Sequence, residues 1–148
     1  MTNIQRLYIL IGVSILIIVV FCLMAYHTEL QRRPELSLWE FVIGEDLSFN
    51  SILVGMSSGV IFGLLDNGGL FFGMDALDPF LQKGKLIPAG LGNTFSNVLG
   101  TASGAYAGVV VKNLFHFKGE HPVWTEMIGM LLGCLLGIYI PHMITGKN

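Results

Sequence analysis

One carboxylate in this chain sits where a carboxylate is expensive. Asp66 is the only charge in the apolar stretch from about Ile52 to Phe72. Ending that stretch at Leu65 leaves 14 residues, whereas a bilayer core about 30 Å thick takes about 20 in a helix. Asp66 is therefore expected inside the hydrocarbon region, at a cost of about 2.5–3.5 kcal/mol on insertion scales. An acid so placed faces the bundle interior, pairs, or takes up a proton, and its default reading is functional. The next apolar stretch supplies partners in Gly92-Asn93-Thr94-Phe95-Ser96-Asn97. Consecutive spans run antiparallel. Asn67 lies five residues before Phe72 and Asn93 five after Pro88, so both groups belong at one depth. Asp66, Asn67, Asn93, Ser96 and Asn97 are expected to converge. A carboxylate with amide and hydroxyl oxygens is a hard-oxygen set suited to Na⁺, Ca²⁺ or Mg²⁺, and a lone aspartate can also carry a proton. Gly68-Gly69 adds a weak place in the helix, where carbonyls can be freed toward an ion. The alternative is structural: the amides satisfy Asp66, fix helix register and bind nothing.

Other chemistry-bearing residues point less far. Glu126 lies one turn into the last apolar stretch, where a negative charge complements the helix N-terminus. His116, Glu120 and His121 share one loop but lack the Cys or close His spacing of a metal site, so an interfacial turn is expected there and no metal. His142 follows Pro141 and reads as a helix-end residue. No nucleophile–base set, phosphate loop or zinc motif occurs. The chain is not expected to be an enzyme, and it needs no cofactor beyond a candidate Na⁺, Ca²⁺ or proton at Asp66.

The elements that must position these groups are membrane spans. The chain has 148 residues, 53% hydrophobic and 12% charged, against about 25% charged in a soluble domain. Mean hydropathy is +0.68. A net charge of −2 gives no basic field for nucleic acid. The pattern predicts an all-α membrane protein with four transmembrane helices in a single membrane domain, residues 1–148. The spans fall at about 7–26, 52–72, 88–111 and 123–144, with both termini on one side. The first run is too long for the core of a cleaved signal peptide and reads as a retained span or anchor. Orientation is tied: Arg6, Lys83, Lys85 and Lys147 stand against Arg32, Arg33, Lys112 and Lys118, and the positive-inside rule does not separate them. Between the first two spans, segment 34–46 holds Ser37-Leu38-Trp39-Glu40, which has capping-box spacing. A short helix follows, either interfacial with Trp39 at headgroup depth or packed on the bundle. Cys22 and Cys134 both fall inside spans, so no disulfide framework is expected.

Small residues recur every fourth position. The second span carries Gly55, Gly59 and Gly63, the third Gly92, Ser96, Gly100, Gly104 and Gly108, the fourth Gly129, Gly133 and Gly137. That spacing keeps them on one drifting helix face. Between helices in lipid, close backbone approach replaces the hydrophobic drive. Glycine-zipper packing of the last three spans is the expectation, with oligomerisation or a sliding transporter interface as the alternative use of one stripe.

Two of these motifs also carry a resemblance. The run Phe62-Gly63-Leu64-Leu65-Asp66-Asn67-Gly68-Gly69-Leu70-Phe71-Phe72-Gly73, followed by Gly90-Leu91-Gly92-Asn93-Thr94-Phe95-Ser96-Asn97, resembles small polytopic membrane proteins of large double-stranded DNA viruses of algae and protists. The Asp-Asn and Gly-Asn-x-x-Ser pattern is also similar to a mitochondrial inner-membrane family linked to sodium–calcium exchange. In that family the second motif usually closes on Asp; here the position is Asn97, one carboxylate fewer. The similarity covers about residues 55–110. It implies a location in a virion, host internal or organelle membrane. Two functions follow as expectations. One is cation transport, a channel, or regulation of ion exchange, carried by the Asp66 cluster. The other is a structural or scaffolding membrane protein without transport activity. The bilayer and either a second copy or other membrane proteins are the expected partners, with no nucleic acid.

Overall fold

The computed structural model describes residues 3–44, 47–77 and 86–146. It contains five helices among them, α1 (Asn3–Leu30), α2 (Leu38–Ile43), α3 (Phe49–Leu77), α4 (Leu86–Leu114) and α5 (Val123–Thr145), and no strand. Three helices are long and apolar enough to cross a membrane, at Ile4–Leu30, Phe49–Phe71 and Val123–Thr145. The helix α4 is as long as α3 but is not one of these three. Asn93, Thr94, Ser96, Asn97, Thr101 and Ser103 lower its hydropathy. Lys83, Lys85 and Lys147, used above for orientation, lie outside the described residues.

The chain divides into two compact units, 1–41 and 42–148. In the first, α1 presents large apolar side chains outward along its length, from Ile4 to Met24. The surface suits lipid, and Gly12 has nothing near it. Past its end, the Tyr26 hydroxyl donates to the Leu36 carbonyl at 2.9 Å. The Tyr26 and Phe41 rings lie 5.5 Å apart, and Arg33 pairs with Glu29 one turn earlier at 3.0 Å.

The capping box forms as its spacing requires. The Ser37 hydroxyl accepts from the Glu40 N–H at 3.1 Å, and the Ser37 N–H donates back to Glu40 Oε2 at 3.0 Å. The Ser37 hydroxyl also lies 2.8 Å from that oxygen. The Ser37 N–H, and then its hydroxyl, hold the Glu40 carboxyl below its ordinary 4.5. A lowered folded value adds stability that is complete above pH 4.5 and is lost as pH falls through the folded value. Acidification should therefore fray α2. Amide exchange at Glu40 and Phe41 in bicelles should lose protection relative to Glu40→Gln as pH drops. Equal pH dependence of protection in the two proteins would show that the Glu40 carboxylate contributes nothing.

In the second unit α3 is the central helix, packed against both α4 and α5. Ser48 and Ser51 cap its start reciprocally, each hydroxyl accepting the other's N–H at 3.1 Å. Opposite, α5 ends at Gly146, whose φ of 59° places it in the left-handed region that glycine tolerates. Its N–H donates to the His142 carbonyl. Where α3 meets α5, backbone faces backbone. A Cβ at Gly63 would lie 2.6 Å from the Cys134 nitrogen, and one at Gly137 would lie 2.8 Å from the Leu64 carbonyl oxygen. Gly59 abuts the Glu126 carbonyl, Gly129 that of Met56 and Gly133 that of Val60. Toward α4, a Cβ at Gly100 would lie 2.9 Å from the Phe62 carbonyl oxygen, and one at Gly104 would lie 2.7 Å from that of Ser58. Gly55 meets Thr125, Gly108 meets Ser58, and Gly92 is buried.

Candidate functional site

Asp66 is half-buried on α3. Its Oδ1 accepts a hydrogen bond at 2.8 Å from the hydroxyl of Ser96 on α4, which is fully buried. Both side chains are short, so the bond needs the helices close. Gly69 and Gly100 supply that closeness. A Cβ at Gly69 would lie 3.3 Å from Ser96 Cβ, and one at Gly100 would lie 3.5 Å from the Asp66 nitrogen.

The five residues expected to converge do not all do so. Asp66 and Ser96 meet. Asn67 turns the other way, its Nδ2 donating to the Cys134 carbonyl on α5 at 3.1 Å. Asn93 is exposed and Asn97 is partly exposed. The group that reaches Asp66 across the α3–α4 contact is thus a hydroxyl rather than an amide. The physical reason lies in helix geometry. Ser96 shares the glycine face turned to α3, while Asn93 and Asn97 lie about 100° from their small neighbours Gly92 and Ser96.

Ser96 has one hydroxyl proton and two acceptors, Asp66 Oδ1 at 2.8 Å and the Asn93 carbonyl at 3.1 Å. An ionised Asp66 draws that proton to itself. A protonated Asp66 is instead a donor to Ser96 Oγ, which then donates to the Asn93 carbonyl. The pair thus satisfies its hydrogen bonds in both charge states. Beside it, a crevice of about 290 Å³ is lined by Leu65, Gly69, Leu99, Ile140 and other apolar residues. It adds no ligand for a metal cation.

A second polar link escaped the reading of the sequence. The Ser58 hydroxyl on α3 donates to Glu126 Oε1 on α5 at 3.0 Å. Glu126 is thus an interhelical partner as well as a first-turn acid. Ser58 precedes Asp66 by eight residues, about 12 Å along α3. The signal was present in Ser58 lying beside Gly59 on a helix already expected to pack through that face.

His116 adopts φ 48°. Its N–H bonds to the Asn113 carbonyl and that of Phe117 to the Lys112 carbonyl, which closes the end of α4. His121 packs against Gly55, and its Nδ1 is buried without a hydrogen bond. Among the described residues no three His, Cys, Asp or Glu come together to hold a metal, and Cys22 and Cys134 are free. No family model, no curated protein and no solved structure matches this chain.

Proposed function

We propose that the chain is a small integral membrane protein that handles a cation at Asp66, and that the cation is a proton. It has four spans in this reading, with α4 as the fourth, and glycine-zipper packing of α3, α4 and α5. The observation that carries it is the Asp66–Ser96 pair. Here one carboxylate is held by one buried hydroxyl, which has an alternative acceptor at Asn93. A single carboxylate and hydroxyl beside an apolar crevice are a poor shell for Na⁺ or Ca²⁺, which take six or more oxygens in the calcium case. They suffice for a proton. Acids in membrane interiors commonly mark proton and ion pathways.

The test is flux into liposomes holding a pH dye, with Na⁺ and Ca²⁺ dyes in parallel. Wild-type protein should move protons, and Asp66→Asn should reduce that at least about tenfold, the order of magnitude for loss of an essential proton carrier. The variant should still reconstitute as a folded protein. Equal flux in both proteins would dispose of the proposal. The second reading is a structural membrane protein. The backbone-to-backbone approach of α3 and α5 favours it, because such packing resists movement. Under that reading wild-type liposomes carry no flux above empty ones.

A further inference from the structure

The groups that fail to reach Asp66 pose their own question. Asn93, Asn97 and Thr101 are spaced by four on α4, and none is buried. Among the described residues neither amide side chain makes a hydrogen bond with another group. Leu91, Phe95 and Val98, on the side of α4 beyond the stripe, are 54%, 66% and 65% exposed, so the helix is uncovered from the stripe round to them. In the four-span reading, on which this inference rests, that face lies in the hydrocarbon. Lipid tails offer no hydrogen bonds, and polar side chains in spans turn toward other protein.

We infer that this face of α4 is the contact with a second copy of the same chain, the two α4 helices meeting about a two-fold axis along the membrane normal. The chemistry of the stripe selects the occupant. A carboxamide carries both donors and an acceptor, so Asn93 meeting Asn93 and Asn97 meeting Asn97 satisfy each other. A two-fold contact presents the same patch from both sides. A single buried asparagine fixes register and partner number between helices in the same way. The chain's own α1 is the other long apolar helix without a partner in its unit, but from Leu7 to Tyr26 it contains no amide side chain. Ser14, Cys22 and two tyrosines are its only polar groups there, a poor complement for two carboxamides.

The test uses the full chain in dilute liposomes, with Cys22 and Cys134 replaced by Ala. Asn93→Cys and Asn97→Cys should each give disulfide-linked dimers on mild oxidation, and Val98→Cys, on another face, should give few. By fluorescence energy transfer between labelled copies, Asn93→Leu/Asn97→Leu should weaken self-association about tenfold, the order expected for two lost interhelical amide pairs. Asn97→Gln should retain it. Monomeric wild-type protein or unchanged association in the double leucine variant would each overturn the inference. Sided maleimide labelling of Gly90→Cys and Lys112→Cys tests the span separately. Labelling from opposite faces upholds the span even if association fails, whereas labelling from one face shows that the span itself was wrong.

Discussion

Gly133→Leu should separate α3 from α5 and cost at least about 3 kcal/mol, the upper range for overpacking a close contact. Any Cβ at Gly133 would run into the carbonyl of Val60 and lie within 2.9 Å of its Cα. A flexible side chain could swing away from such an intrusion, but backbone cannot. The helices must part, and with them go the neighbouring close contacts at Gly59, Gly63, Gly129 and Gly137 and the Ser58–Glu126 bond. The control is the same change at Gly12. A Cβ there meets nothing within 4 Å, and leucine suits both lipid and helix. Gly12→Leu should be neutral or slightly stabilising. Thermal unfolding in detergent, followed by circular dichroism, should therefore separate two identical substitutions in the two units. Equal melting of Gly133→Leu and wild type would show that the tight α3–α5 approach does not hold the bundle.

That contrast also shows what could be read from the sequence. Glycines every fourth residue have few uses in an apolar helix, so the close faces of α3 and α5 were visible in Gly55, Gly59, Gly63, Gly129, Gly133 and Gly137. The capping box was legible because Ser37 and Glu40 are near neighbours, and their geometry depends on no other element. That Asp66 meets the Gly92–Asn97 segment of α4 at one level followed from counting residues. The identity of its partner did not. Depth is one-dimensional, and it places Asn67, Asn93, Ser96 and Asn97 at one level without saying which way each points. The glycine stripe does say so: Ser96 occupies a position within it, between Gly92 and Gly100, and the asparagines do not. The second role of Glu126 was missed for a related reason. Its place in the first turn of α5 gave a sufficient local account, and the reach of Ser58 across the α3–α5 contact depends on a crossing that spacing alone leaves open.

Ser96→Ala should destabilise the bundle by about 1–3 kcal/mol, the penalty for stranding a partly buried acceptor, although it removes a single oxygen. The volume lost is small, and Ala is the better helix former, so neither packing nor propensity predicts a loss. The loss comes from Asp66, whose Oδ1 would keep its place on α3 with no donor facing it. Removing both partners should therefore hurt less than removing one. Asp66→Leu/Ser96→Ala should recover much of the stability, with a coupling of about 0.5–3 kcal/mol between contacting sites. Asn67→Ala gives the comparison. Its amide bonds to the Cys134 carbonyl and not to Ser96, so its effect should add to that of Ser96→Ala. The two cycles, measured by equilibrium unfolding in one detergent, decide whether Asp66 and Ser96 act as a unit. A strictly additive Asp66–Ser96 cycle would leave the hydroxyl without energetic influence on the acid and would remove the proposed proton site's only fixed partner among the described residues.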